Sequence, residues 1–211
     1  MEHHLWITYA FACCAIALSP GAGAVLAMSH GASYGPPRAS ATIAGQELGL
    51  AFILIVAGVG VGSLLMASAW AFLAVKLGGA AYLIYVGLRQ WRAPVAQQTS
   101  TPRGAPDVSW RKRCATGFLT NATNPKGIVF MVAVLPQFIV AGRPLVSQLA
   151  VMTVTMCAID AVIMHAYAYG ANAFGRVFKH PRAVRIQNRV FGTLLMAAGT
   201  AIIFVRRAVP A

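Results

Sequence analysis

Between Ala39 and Leu88 the chain carries only two charged residues, Glu47 and Lys76. A helix needs about 20 apolar residues to cross a hydrocarbon core of about 30 Å. This 50-residue stretch is too long for one crossing and too greasy for a water-facing surface. It predicts two crossings, Ala39–Leu65 and Ala71–Leu88, folding back near Met66–Trp70. Composition extends the constraint to the whole chain. Only 10% of residues are charged and 58% are hydrophobic, against about 25% charged in a soluble domain. The expected class is an all-α integral membrane protein.

Four further apolar runs bring the expected count to six: Leu5–Met28, Ala115–Val140, Leu145–Ala171 and Val190–Val205. Ala22-Gly-Ala24 mimics a signal cleavage site, but Met1-Glu-His-His has no basic n-region, so the first run is read as an uncleaved span. A polar linker from Arg89 to Arg113 and a basic segment from Asn172 to Arg189, with Pro181 as a breaker, separate the later runs. The division is then one membrane domain over 1–211, with a first half at 1–92, a cytoplasmic linker at 93–113 and a second half at 114–211.

The net charge of +13 would suggest nucleic acid in a soluble protein. Here the basic residues flank apolar runs, so topology and anionic lipid account for them and nucleic acid does not. With six spans, twelve Lys and Arg fall on one side and three on the other, Arg143, Arg206 and Arg207. The positive-inside rule places the basic loops in the cytoplasm and both termini outside. Gly45-x-x-x-Gly49 and Gly58-x-x-x-Gly62 let helices approach closely, which leaves a homodimer open.

Polar residues inside the runs point to the working parts. Asn121-Ala-Thr-Asn-Pro-Lys-Gly127 interrupts the fourth run, and Ser19-Pro-Gly21 interrupts the first. A lysine near mid-bilayer costs about 2.5–3.5 kcal/mol on an insertion scale. Ser and Asn are favoured N-caps, and proline is favoured at the first helical position. Ser19-Pro20 and Asn124-Pro125 therefore predict half-helices starting inside the membrane, their free N–H groups and Lys126 suited to a carboxylate. Glu47 lies 27 residues after Pro20, and Asp160 lies 35 after Pro125. One insertion of about eight residues reconciles the offsets, so two inverted three-helix repeats with broken helices 1 and 4 are expected.

At 1.5 Å per residue, Asn124 lies ~17 Å in from Arg113 and Glu47 ~14 Å in from Arg38. All these groups thus fall near mid-depth. The candidate substrate-binding residues are Ser19, Pro20, Gly21, Asn121, Asn124, Pro125 and Lys126. Asp160 and Glu47 are candidate proton-coupling residues, with a Lys126–Asp160 ion pair as the structural alternative for that acid. His165 and the Met152/Met156 pair read as core, and Pro136-Gln137 as a helix stop.

Ala17-Leu-Ser-Pro-Gly21, Lys76-Leu-Gly-Gly-Ala-Ala-Tyr-Leu83, Gly117-Phe-Leu-Thr-Asn121, Asn124-Pro-Lys126, Leu135-Pro-Gln-Phe138 and Arg189-Val-Phe-Gly192 resemble, in order, the LysE/RhtB-type amino-acid exporters. The resemblance implies a six-span protein of the bacterial inner membrane. It would export amino acids or derivatives such as homoserine, homoserine lactone, threonine, lysine or leucine, driven by the proton-motive force without a cofactor. It implies a transporter working by proton antiport and alternating access, not an enzyme. The family usually continues Ser-Pro-Gly with Pro-Asn, where this chain has Ala22-Gly23. Two competitors remain in view. A thiol-electron transporter of the DsbD/CcdA kind would use Cys13 and Cys114. A metal-ion exporter would need His, Asp or Met ligands repeated across spans, and the sequence offers no such metal site.

Overall fold

The computed structural model of the chain describes residues 3–19, 21–67, 69–93, 108–140, 142–171 and 181–204. Among them all regular structure is helical: α1 (His3–Leu18), α2 (Ala22–Tyr34), α3 (Pro36–Ala67), α4 (Ala69–Arg92), α5 (Trp110–Ala122), α6 (Pro125–Val134) with a 3-10 turn at Leu135–Gln137, α7 (Leu145–Tyr169) and α8 (Pro181–Phe204).

Two helices are long and apolar enough to cross a membrane unaided, within Pro36–Gly60 and Leu145–Tyr169. A third crossing is formed if α1 and α2 count together, bent by 58° at their gap. By length and composition alone, the described residues thus account for two or three of the six expected crossings. α4 and α8 have 24 residues each, and α5 with α6 makes a second interrupted pair.

Both expected breaks are present, and proline chemistry explains them. A proline at 20 has no N–H for the carbonyl of Ile16, and its ring disfavours helix at the preceding residue. α1 stops at Leu18 accordingly. A proline at 125 does the same to the carbonyl of Asn121, which accepts instead from the Asn124 N–H at 3.0 Å. Asn124 then caps α6 as expected, its side chain accepting from the Lys126 N–H at 3.1 Å. The 3-10 turn closes at Gln137, where the stop was expected.

Two other boundaries differ from expectation. Arg38 and its surroundings were expected in a loop, yet only Gly35 separates α2 from α3. Its φ of 84° lies in the left-handed region that glycine adopts without steric cost, and Pro36 opens the next helix. Pro181, expected to break the chain, is likewise the first residue of α8, so Pro181–Arg189 extends the last helix. Proline at a helix start forfeits no hydrogen bond.

Glycine sets the closest packing. A Cβ on Gly45 would lie 1.9 Å from the Cys114 carbonyl oxygen, and one on Gly117 2.0 Å from that of Thr42. α3 and α5 therefore touch backbone to backbone, and the Gly45/Gly49 face serves this chain's own α5 rather than a second copy. Gly31 does the same for α2 against α7. Two buried apolar clusters result. One joins Tyr9, Cys13, Leu54, Met131, Leu135 and Met152 among others. The other joins Ala27, Ile43, Met164, Tyr167 and Ala168.

Candidate functional site

Helix α1 ends at Leu18, just before a proline that has no N–H to return to Ile16. The first turn of α6 lies within reach of the last α1 carbonyls. Lys126, in the first turn of α6, sends its ammonium across the gap. Its Nζ donates to the carbonyl of Ser19 at 2.7 Å and to that of Ile16 at 3.3 Å. Ile16 is the acceptor that a proline at 20 leaves empty, four residues back. Tyr167 Oη of α7 donates to the Leu18 carbonyl at 2.8 Å. A cation and a hydroxyl thus cap the negative end of α1. The two breaks, 105 residues apart, face one another and share one side chain.

A cavity of about 50 Å³ opens beside this bridge. Ser19, Gly21, Asn121, Asn124, Lys126 and Asp160 supply its polar wall, and residues such as Leu50, Ile53, Met156 and Met164 its apolar wall. One water needs about 10–15 Å³ by this measure, so the space holds about four. Asp160 is buried, with 6% of its surface exposed, and lies within electrostatic reach of Lys126 and Glu47. The short contacts of the Lys126 ammonium go to the α1 carbonyls and not to Asp160, so the ion pair weighed as the structural alternative for this acid is not seen.

The other expected residues divide. Asn121 donates through Nδ2 to the Gln46 carbonyl at 3.0 Å, binding α5 to α3. Ser19 is not an N-cap: α2 begins later, with extended Gly21 as a cap that makes no side-chain bond. Ser19 Oγ is instead buried at the cavity with no partner. Pro20 lies outside the described residues. Glu47 is not on the cavity wall, yet both its carboxyl oxygens are buried and without a hydrogen bond, and its neighbour is Asp160.

Gln46 and Tyr167 were not anticipated. Gln46 is fully buried, and its Nε2 donates to the Gly23 carbonyl at 2.8 Å just beyond the first break. An uncharged amide between Gly45 and Gly49 was the available signal. Tyr167 stands seven residues after Asp160, two turns along the same face of α7. Met156 shares that face and lines the cavity as well as the core. His165 is satisfied as expected, with Nε2 3.1 Å from Ser40 Oγ and Nδ1 2.7 Å from the Ala161 carbonyl. All four cysteines are free thiols. Among the described residues no three His, Cys, Asp or Glu side chains gather as a metal site would require.

An ammonium and a capped helix start on one wall, with a carboxylate nearby, are complementary to a small zwitterion. The chain has relatives that can be set beside this geometry. It is 36% identical over 208 residues to the homoserine/homoserine lactone efflux protein of Salmonella typhi, covering 99% of this chain and 100% of that one. It is 37% identical over 201 residues to an uncharacterised membrane protein of Vibrio cholerae serotype O1, covering 94% and 96%. A leucine efflux protein of Klebsiella pneumoniae is 29% identical over 136 residues, 64% of this chain and 63% of its own length. No solved structure matches the chain. A family model described as LysE type translocator matches residues 14–205. With nearly the whole chain inside that match, the protein belongs to the LysE type translocator family.

Proposed function

We propose that this membrane transporter exports amino acids or their derivatives from the cytoplasm across the bacterial inner membrane, in exchange for protons. The observation that carries the reading is Lys126 bridging two helix breaks beside a cavity that also holds Asp160. The efflux of homoserine, its lactone and leucine named for the relatives supports the substrate class.

In this reading the substrate carboxylate takes the Lys126 ammonium from the Ile16 and Ser19 carbonyls, helped by the capped start of α6 at Asn124 and Pro125. Asp160 meets the substrate ammonium or carries the coupling proton, and Glu47 beside it shares that proton. Space for about four waters is too little for an amino acid of eight heavy atoms such as homoserine, so entry requires α1 and α2 to part from α6. Lys126 leaving the α1 carbonyls would release that contact. Binding and opening are then one event.

The reading includes six spans in two inverted halves, 1–92 and 114–211, with both termini outside. Matching breaks, the proximity of Glu47 to Asp160 and the packing of α4 on α8 support that arrangement. The experiment is competition for labelled homoserine uptake into inverted vesicles. Homoserine and leucine should compete. The lactone, with a carbonyl but no carboxylate charge for Lys126, should compete less well, and 3-aminopropan-1-ol, which lacks the carboxyl group, not at all. Competition by the amino alcohol as strong as by homoserine would overturn the carboxylate site.

A further inference from the structure

The seam where the end of α4 meets the start of α8 concentrates positive charge that the transport site does not use. Gly87 and Gly192 bring the two backbones together, each lying where a Cβ would sit 2.6–2.7 Å from the other's carbonyl oxygen. Beside them Gln90 Nε2 donates to Asn188 Oδ1 at 2.8 Å, and Asn188 Nδ2 donates to the Ala93 carbonyl at 3.4 Å. The neutral amides are thus spent on bracing the seam.

The arginines face outward. Arg89, Arg92, Arg182, Arg185 and Arg189 are all exposed. Arg182, Arg185 and Arg189 are spaced i, i+3, i+7 on one face of α8, over ~10 Å of axis. The Arg189 guanidinium lies 5.0 Å from the Trp91 ring centroid, and that of Arg89 lies 5.9 Å from Tyr85. The chain has four acids, Glu2, Glu47, Asp107 and Asp160, and two of them belong to the buried site. Next to the arginine face, Ile186, Val190 and Leu194 form an exposed apolar stripe at i, i+4, i+8.

We propose that this seam binds an anionic glycerophospholipid. The guanidinium groups hold its phosphate, a task for which their planar donor forks suit them, and the N-terminal end of α8 adds partial positive charge. Trp91 and Tyr85 sit at headgroup level, as amphipathic rings do. The apolar stripe takes an acyl chain, which favours a lipid over free phosphate or an acidic peptide.

The test titrates the full-length protein in neutral detergent with phosphatidylglycerol, diphosphatidylglycerol, phosphatidylethanolamine or inorganic phosphate, counting bound lipid by native mass spectrometry. The anionic lipids should bind at least about tenfold more tightly than phosphatidylethanolamine, from ~1 kcal/mol per basic residue. Inorganic phosphate should not displace them. Arg182→Gln/Arg185→Gln/Arg189→Gln should weaken binding by roughly 10- to 100-fold, and Arg143→Gln should leave it unchanged. If the triple glutamine variant does not fold, the triple lysine variant and a salt titration of the wild type decide: both should weaken binding without abolishing it. Equal binding of phosphatidylethanolamine, displacement by phosphate, or indifference to both substitution and salt would overturn the proposal.

Discussion

Replacing Lys126 with methionine removes the side chain that reaches from the second helix break to the carbonyls of the first. Methionine keeps the length and apolar stem, so packing changes little and the loss is the ammonium. Two carbonyls, Ile16 and Ser19, then lose their donor. A proline at position 20 cannot supply a replacement N–H to Ile16. A buried acceptor left without a partner costs about 1–3 kcal/mol, so the pair costs ~2–6 kcal/mol. Relief of the ammonium's own desolvation works the other way, which favours the lower end. Tyr167 still holds the Leu18 carbonyl. At ~2 kcal/mol, and 2–4 °C per kcal/mol for a chain of this size, thermal unfolding in detergent should fall by ~4–8 °C. Lys126→Arg, which keeps the charge, should recover part of that loss. A methionine variant that melts with the wild type and exports normally would refute the bridging role.

Asp160→Asn should abolish the dependence of export on an imposed pH gradient, measured as amino-acid uptake into inverted vesicles. Tyr167→Phe removes one hydrogen bond to the end of α1 and should lower stability by ~1 kcal/mol, visible as a small drop in melting temperature. Gly45→Ala drives a Cβ against the backbone of Cys114, where nothing flexible can yield; a cost of ~1–3 kcal/mol should appear as reduced yield of folded protein. Replacing all four cysteines with alanine should leave export intact in the vesicle assay, and loss of transport would revive the thiol-electron reading.

The breaks in the two interrupted helix pairs were legible because proline acts locally: its missing N–H and its clash with the previous turn need no knowledge of distant residues. The partner of Lys126 was not legible by the same route. Its acceptors become available through a proline 106 positions away, and only folding brings that gap to α6. Ser19 was misassigned for a related reason. A serine before a proline reads as an N-cap, but α2 starts beyond Gly21, so the hydroxyl faces the cavity instead. Pro181 shows the opposite error, in which a helix start was taken for a break. Small-residue spacing revealed that α3 packs tightly; which helix it packs against depends on tertiary contacts that spacing does not encode.

Gradient-driven transport in inverted vesicles tests the central claim most directly. With the lumen made acid, wild-type vesicles should accumulate labelled homoserine above the external concentration and lose it when the gradient is collapsed. Lys126→Met vesicles with equal protein content should do neither. Accumulation by the wild type that survives collapse of the gradient, or undiminished accumulation by the Lys126 variant, would contradict a proton-coupled site built on the two helix breaks.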